Sequence, residues 1–95
     1  MNQIVIELTV NNHPGVLSRI SGVFARRAFN LDGVLVSGLT GTTQSRMFLL
    51  VEEDHRLSQI VKQLEKCYDV LDIFIRHDMG SECFTPQIPI LAKAS

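Results

Sequence analysis

Apolar residues alternate along "IVIELTV", residues 4–10: Ile4, Ile6, Leu8 and Val10 share one face, and Glu7 and Thr9 the other. That is the pattern of a half-buried strand. After the break "NNHPG" the period lengthens. Val16, Ile20 and Val23 recur at helical spacing, Leu17, Phe24 and Ala28 widen the stripe, and Ser18, Arg19, Arg26 and Arg27 take the solvent side. This predicts an amphipathic helix of roughly 14–16 residues starting near Pro14. "NLDG" supplies turn chemistry, "GVLVSGL" (33–39) a second strand, "TGTTQS" a polar turn and "RMFLLVE" (46–52) a third strand. Asp54 is placed to cap a second helix, with Leu57, Ile60, Val61, Leu64 and Tyr68 at helical intervals to about residue 67. "DVLDIFIR" reads as a fourth strand with Leu71, Ile73 and Ile75 on one face.

The order β-α-β-β-α-β, with similar spacing in its two halves, predicts an α+β, ferredoxin-like fold. In it, one four-stranded antiparallel sheet carries two helices on one face. The pattern stops at about Met79, so residues 1–78 form the domain and 79–95 a C-terminal tail. Gly80, Pro86 and Pro89 suit a frayed end, whereas Phe84, Ile88, Ile90 and Leu91 suit a segment that docks on a partner.

Composition narrows the function. Ninety-five residues, 45% hydrophobic and 20% charged, make one ordinary globular domain. A net charge of −1 and a pI near 6.3 argue against nucleic-acid binding by counterion release, and Arg26–Arg27 alone make no basic stripe. No apolar run reaches the ~20 residues needed to span a bilayer. "MNQIVIELTV" lacks the basic start of a secretory signal, so a cytoplasmic location is expected. Cys67 and Cys83, 16 residues apart, read as two free thiols in a reducing cytoplasm, with a disulfide between them the alternative, and they lack zinc spacing.

Catalytic constellations are thin. His13, His55 and His77 fall in a loop, at a helix start and at a strand end. There is no nucleophile elbow, Walker loop or GxGxxG, and "GLTGTT" joins two strands as a hairpin turn. The run Glu52, Glu53 and Asp54 suits a solvated edge rather than a metal site. No catalytic residue and no metal ligand is expected.

Two features invite a binding role. Pro14 suits a first helical position, and Gly15 bares the first turn, whose free N–H groups suit a carboxylate or phosphate. Asn12 suits capping of the helix or hydrogen bonding to a ligand, and simple N-capping fits the same residues. The second strand lies at a sheet edge in this topology, yet Val34, Leu35 and Val36 are apolar on both faces without Lys, Glu or Pro. Pairing with a second copy, or cover by the tail, would satisfy that edge. An RNA-binding sheet would need exposed aromatics on its central strands; Phe48 and Phe74 lack flanking basic residues, and core packing explains them more simply.

"ELTVNNHPGVLSRISGVFARRAFNLDGVLV", the "SRM" opening the third strand and "QLEKCYDVLDI" closely resemble the regulatory (small) subunits of acetohydroxyacid synthase, or acetolactate synthase, over residues 3–76. The family's domain is the ACT type, a ferredoxin-like amino-acid sensor. The chain's length is similar to the single-domain, isozyme I-like members. His13-Pro14 departs from some relatives. The resemblance implies a non-catalytic subunit that binds the large catalytic subunit, raises its activity and confers feedback inhibition by valine. It further implies that the main-chain N–H groups of Gly15 and Val16, next to Asn12 and Pro14, hold the effector's carboxylate. Asn30 would reach it across a homodimer built on Val34, Leu35, Val36 and Ser37. Thiamine diphosphate, Mg and FAD would belong to the catalytic subunit alone. A free-standing ACT sensor of another metabolic enzyme is the alternative.

Overall fold

The alternating segments become the strands of one sheet, and the segments of helical period cover one of its faces. The computed structural model describes residues 3–12 and 14–77. His13 and the 79–95 tail, with Cys83, lie outside the described residues. The elements are β1 (Gln3–Asn11), α1 (Val16–Arg26), β2 (Gly33–Gly38), β3 (Gln44–Glu52), α2 (Leu57–Glu65) and β4 (Val70–Arg76). The sheet order is β2-β3-β1-β4, every pair antiparallel, so β2 and β4 are the edges. This is the βαββαβ arrangement expected from the pattern.

Ile4, Ile6, Leu8 and Val10 of β1 and Met47, Leu49 and Val51 of β3 form the sheet side of the core. Val16, Ile20, Val23 and Phe24 of α1, with Ile60 and Leu64 of α2, close it from above. Each such side chain contributes about 1.5–3 kcal/mol relative to exposure. The helices therefore hold to one face through packing, since short helices are marginal alone.

Several expectations are corrected where tertiary contacts override local pattern. Helix α1 is 11 residues long, and Pro14 precedes it instead of occupying its first position. Gly15 is the N-cap with φ 90°, a left-handed conformation that delays the helix by one residue. Ala28 does not widen the apolar stripe. It is exposed with φ 52°, and the N–H of Phe29 donates to Phe24 O at 2.9 Å, closing the helix end. Burying Phe29 edge-on against Phe24, ring centroids 6.0 Å apart, decides this against alanine's helical preference. Asn30 consequently lies beyond the helix rather than at its last turn.

Helix α2 ends at Glu65 through tighter bonds from Lys66 N to Gln63 O and Cys67 N to Leu64 O, which leaves Tyr68 in the turn, 85% exposed. A register shift between Thr9 and Val10 pairs Val10 with Val70 and Thr9 with Asp72. Val70 thereby takes the core position expected of Leu71, which is exposed, while Ile73 and Ile75 pack inward as expected. Glu7, expected on a wet face, is buried, because β1 is central and neighbouring side chains cover it.

Candidate functional site

The end of β1 is fixed from both sides. Asn11 N–H donates to Asp69 O at 2.9 Å and Asn12 N–H to Thr43 O at 2.7 Å. Asp69 is buried and its carboxylate accepts from Arg19 Nη1 of α1 at 2.6 Å. These contacts hold the turn at residues 14–15 against the sheet and set the direction in which α1 starts.

That start is bare. Gly15 O accepts from Arg19 N at 2.9 Å as the first helical bond, and no side chain caps this end. No acidic residue sits in the first turn to neutralise the positive end of the helix dipole. A Cβ placed on Gly15 would meet nothing within 4 Å, which means the backbone faces open space. That space is a cavity of about 530 Å³ whose wall includes Asn12, Gly15 and Val16. Its floor is apolar, from Val10 and Met47, with the buried Ser45 beside them; its open side is edged by Leu17 and Val36, 47% and 40% exposed. The Asn12 side-chain amide is exposed and makes no hydrogen bond among the described residues.

Four of the candidate residues thus meet at one cavity: Asn12, Gly15, Val16 and Val36. Pro14 is exposed in the adjoining turn. Val34 packs toward the core, while Leu35 and Ser37 are half-buried on the sheet's other face. Asn30 does not reach this cavity within one chain. It lies past the other end of α1, Nδ2 donating to Asp32 Oδ1 at 2.9 Å, in a smaller recess with Asp54 and Arg56. Ser18, Ser45 and Met47 line the cavity without having been singled out from sequence. Ser45 and Met47 arrive there only through pairing with Val10 and Val36, a register no local pattern displays.

A backbone donor cluster beside an apolar floor fits a small amphiphilic acid. Among the described residues, no three His, Cys, Asp or Glu side chains gather as metal ligands. No helix among them is long and apolar enough to cross a membrane. Over residues 6–72 the sequence matches the family described as AHAS small subunit-like ACT domain. The chain belongs to that family. It is 43% identical over 72 residues to the acetolactate synthase isozyme 1 small subunit of Escherichia coli (strain K12), a match covering 76% of this chain and 75% of that one. It is 38% identical over 77 residues to the acetolactate synthase small subunit of Mycobacterium bovis, covering 80% of this chain but only 46% of that protein.

Among solved structures, the acetolactate synthase small subunit of Thermotoga maritima superposes with a TM-score of 0.70 at 29% identity, over 79% of this chain and 47% of that one. The regulatory subunit of aspartate kinase from Thermus thermophilus shares the fold, with a TM-score of 0.68 at 20% identity over 93% of this chain and 64% of that one. The ACT domain described here is accordingly an acetolactate synthase small-subunit domain, regulatory rather than catalytic.

Proposed function

We propose that this ACT domain is the valine sensor of an acetolactate synthase, docking on the large catalytic subunit in the cytoplasm, raising its activity and carrying feedback inhibition. The observation that carries the reading is the bare start of α1 at Gly15, which opens on an apolar-floored cavity beside β2, an edge strand among the described residues. The main-chain N–H groups of Gly15 and Val16 bind the effector's carboxylate, and the side chain lies against Val10, Val36 and Met47. The cavity's open side at Leu17 and Val36 is closed by a second copy whose β2 pairs with this one. Asn30 of the second copy then faces the effector's ammonium group, which explains why it is remote within one chain.

Valine shifts the holoenzyme only if it binds one arrangement of the dimer better than another. A pocket that reads size through apolar contact discriminates a methylene by about 1–3 kcal/mol, so leucine and isoleucine bind more weakly rather than not at all. Thiamine diphosphate, Mg and FAD serve the catalytic subunit and have no role in this chain. Calorimetric titration of the full chain with valine tests the reading. Saturable heat with one site per chain is expected; no heat and no thermal shift at millimolar valine, in the chain alone and in its complex with the catalytic subunit, would sink it.

A further inference from the structure

One buried polar side chain at the cavity has no partner, and it lies where the sheet runs under the start of α1. Ser45 of β3 is 2% exposed, and its hydroxyl makes no hydrogen bond among the described residues. Among those residues, the buried side-chain atom that is both sealed from solvent and without a hydrogen bond is Arg46 Nε. The Ser45 oxygen is therefore not sealed. Its open side is the cavity of about 530 Å³, which Ser45 lines together with Asn12, Gly15 and Val16. A hydroxyl so placed gives up water contacts and gains none inside the chain, a cost that a ligand's polar group in the cavity would offset. Asn12 and Ser18 differ: both line the cavity but are exposed, so water serves them.

Strand register orders the cavity floor from polar to apolar. Ser45 pairs with Val10 of β1 and with Gly38 of β2, in the last helix-facing row before β1 passes into the turn that starts α1. Gly38 brings no side chain to that row, and a Cβ built on it would meet nothing within 4 Å, so the hydroxyl is not crowded there. The next row on the same face holds Met47, paired with Leu8 and Val36. It lies about 7 Å further from the turn, two strand residues along. The end of the floor that carries the hydroxyl is thus the end with the bare N–H groups of Gly15 and Val16, and the far end is apolar.

We propose that Ser45 is an effector-binding residue. Its buried hydroxyl hydrogen-bonds the charged head of the bound amino acid beside the Gly15 and Val16 N–H groups, and so sends the ligand's side chain toward Val36 and Met47. The proposal rests on the effector-site reading above and adds to it the direction in which the ligand lies along the floor. A hydroxyl bonded to a charged group is worth more than one bonded to a neutral partner, and it reads the part that all α-amino acids share.

The test titrates valine, leucine and isoleucine calorimetrically into the full chain and into its complex with the catalytic subunit. Ser45→Ala is expected to weaken all three by one common factor of about tenfold or more, with their ratios unchanged. Because the hydroxyl has no partner without ligand, the unliganded variant is expected to be no less stable than the wild type in thermal unfolding. Ser45→Thr keeps the hydroxyl and has room for its methyl beside Gly38, so it is expected to recover most of the affinity. Ser18→Ala, at the solvated rim, is expected to change it by no more than about twofold. Should Ser45→Ala not fold, Ser45→Cys, of similar shape but a much weaker donor, carries the same expectation. Unchanged affinity in the folded variants overturns the proposal. So does a loss confined to one of the three amino acids, which would set the hydroxyl against the ligand's side chain. An equal loss in Ser45→Thr also overturns it, since shape and not the hydroxyl would then matter. If the wild-type chain binds none of the three, alone or in the complex, the effector reading itself falls, and the assignment of Ser45 with it.

Discussion

The two helices begin in opposite ways, although the halves of the chain have similar spacing. At α1 the N-cap is a left-handed glycine without side-chain cover, facing a cavity. At α2 the N-cap is Arg56 rather than the expected Asp54, and it too lacks a side-chain cap and an acid in the first turn, but the approach to it is closed. Asp54 Oδ1 accepts from the Arg56 N–H at 2.7 Å, and the Arg56 guanidinium bonds the same carboxylate. Arg56 also donates from Nη1 to Arg27 O, 3.1 Å away at the end of α1, and lies 5.1 Å over the Phe29 ring. One start faces a cavity; the other fastens the helices together. The contrast teaches that a helix N-terminus keeps its donors for an outside acceptor only where the chain withholds its own.

Gly15→Asp breaks the comparison most severely, since it gives α1 an acceptor of its own in the space the effector's carboxylate would fill. Like charges so close cost several kcal/mol, so valine affinity by calorimetry is expected to fall by at least about a hundredfold. Activation of the catalytic subunit should survive; loss of both together would make the turn purely structural. An aspartate at φ 90° also costs about 1–2 kcal/mol of stability, readable in denaturant.

Arg56→Ala breaks the closed side. Removing its ring contact and its bond to the Arg27 carbonyl is expected to cost about 1–2 kcal/mol in denaturant unfolding, with valine binding retained. Hydrogen bonds from Arg56 hold the Asp54 carboxyl below its ordinary 3.8. A group depressed on folding stabilises fully above its unfolded value and loses that contribution as pH falls through the folded one. The wild type's advantage over Arg56→Ala should therefore be largest above pH 3.8 and shrink on acidification below it; an advantage independent of pH would deny the pair this role.

The smallest effect sharpens the comparison rather than breaking it. Ala28 holds a left-handed φ of 52° at the fastened end of α1. Ala28→Gly is expected to raise stability by up to about 1 kcal/mol in thermal or denaturant unfolding, leaving valine heat unchanged. A change in valine affinity would show that the fastened end is coupled to the open one.

Much of this was legible along the chain. The period of apolar residues told strand from helix, and "NNHPG" marked the bare start, because Gly15 removes a side chain where donors gather. The element ends were less legible, since they depend on burial at a distance: Phe29 under Phe24 turns Ala28 left-handed, and a bulge opposite Thr9 exchanges Val70 for Leu71. For the cavity the loop residues Asn12, Gly15 and Val16 could be named in advance, whereas Ser45 and Met47 could not, because they reach it across the sheet.

The sequence by itself determined which segments pair and which face each buries, because solvent exclusion acts on local periodicity. Its likeness to the acetolactate synthase small subunits also marked the chain as regulatory, through the residues quoted for that resemblance. Only the tertiary structure decided which distant residues share a surface. Strand register sets that choice, and register placed Arg46 and Arg76 on Glu7 between two phenylalanines, turning an alternating strand's single acid into the organiser of a face.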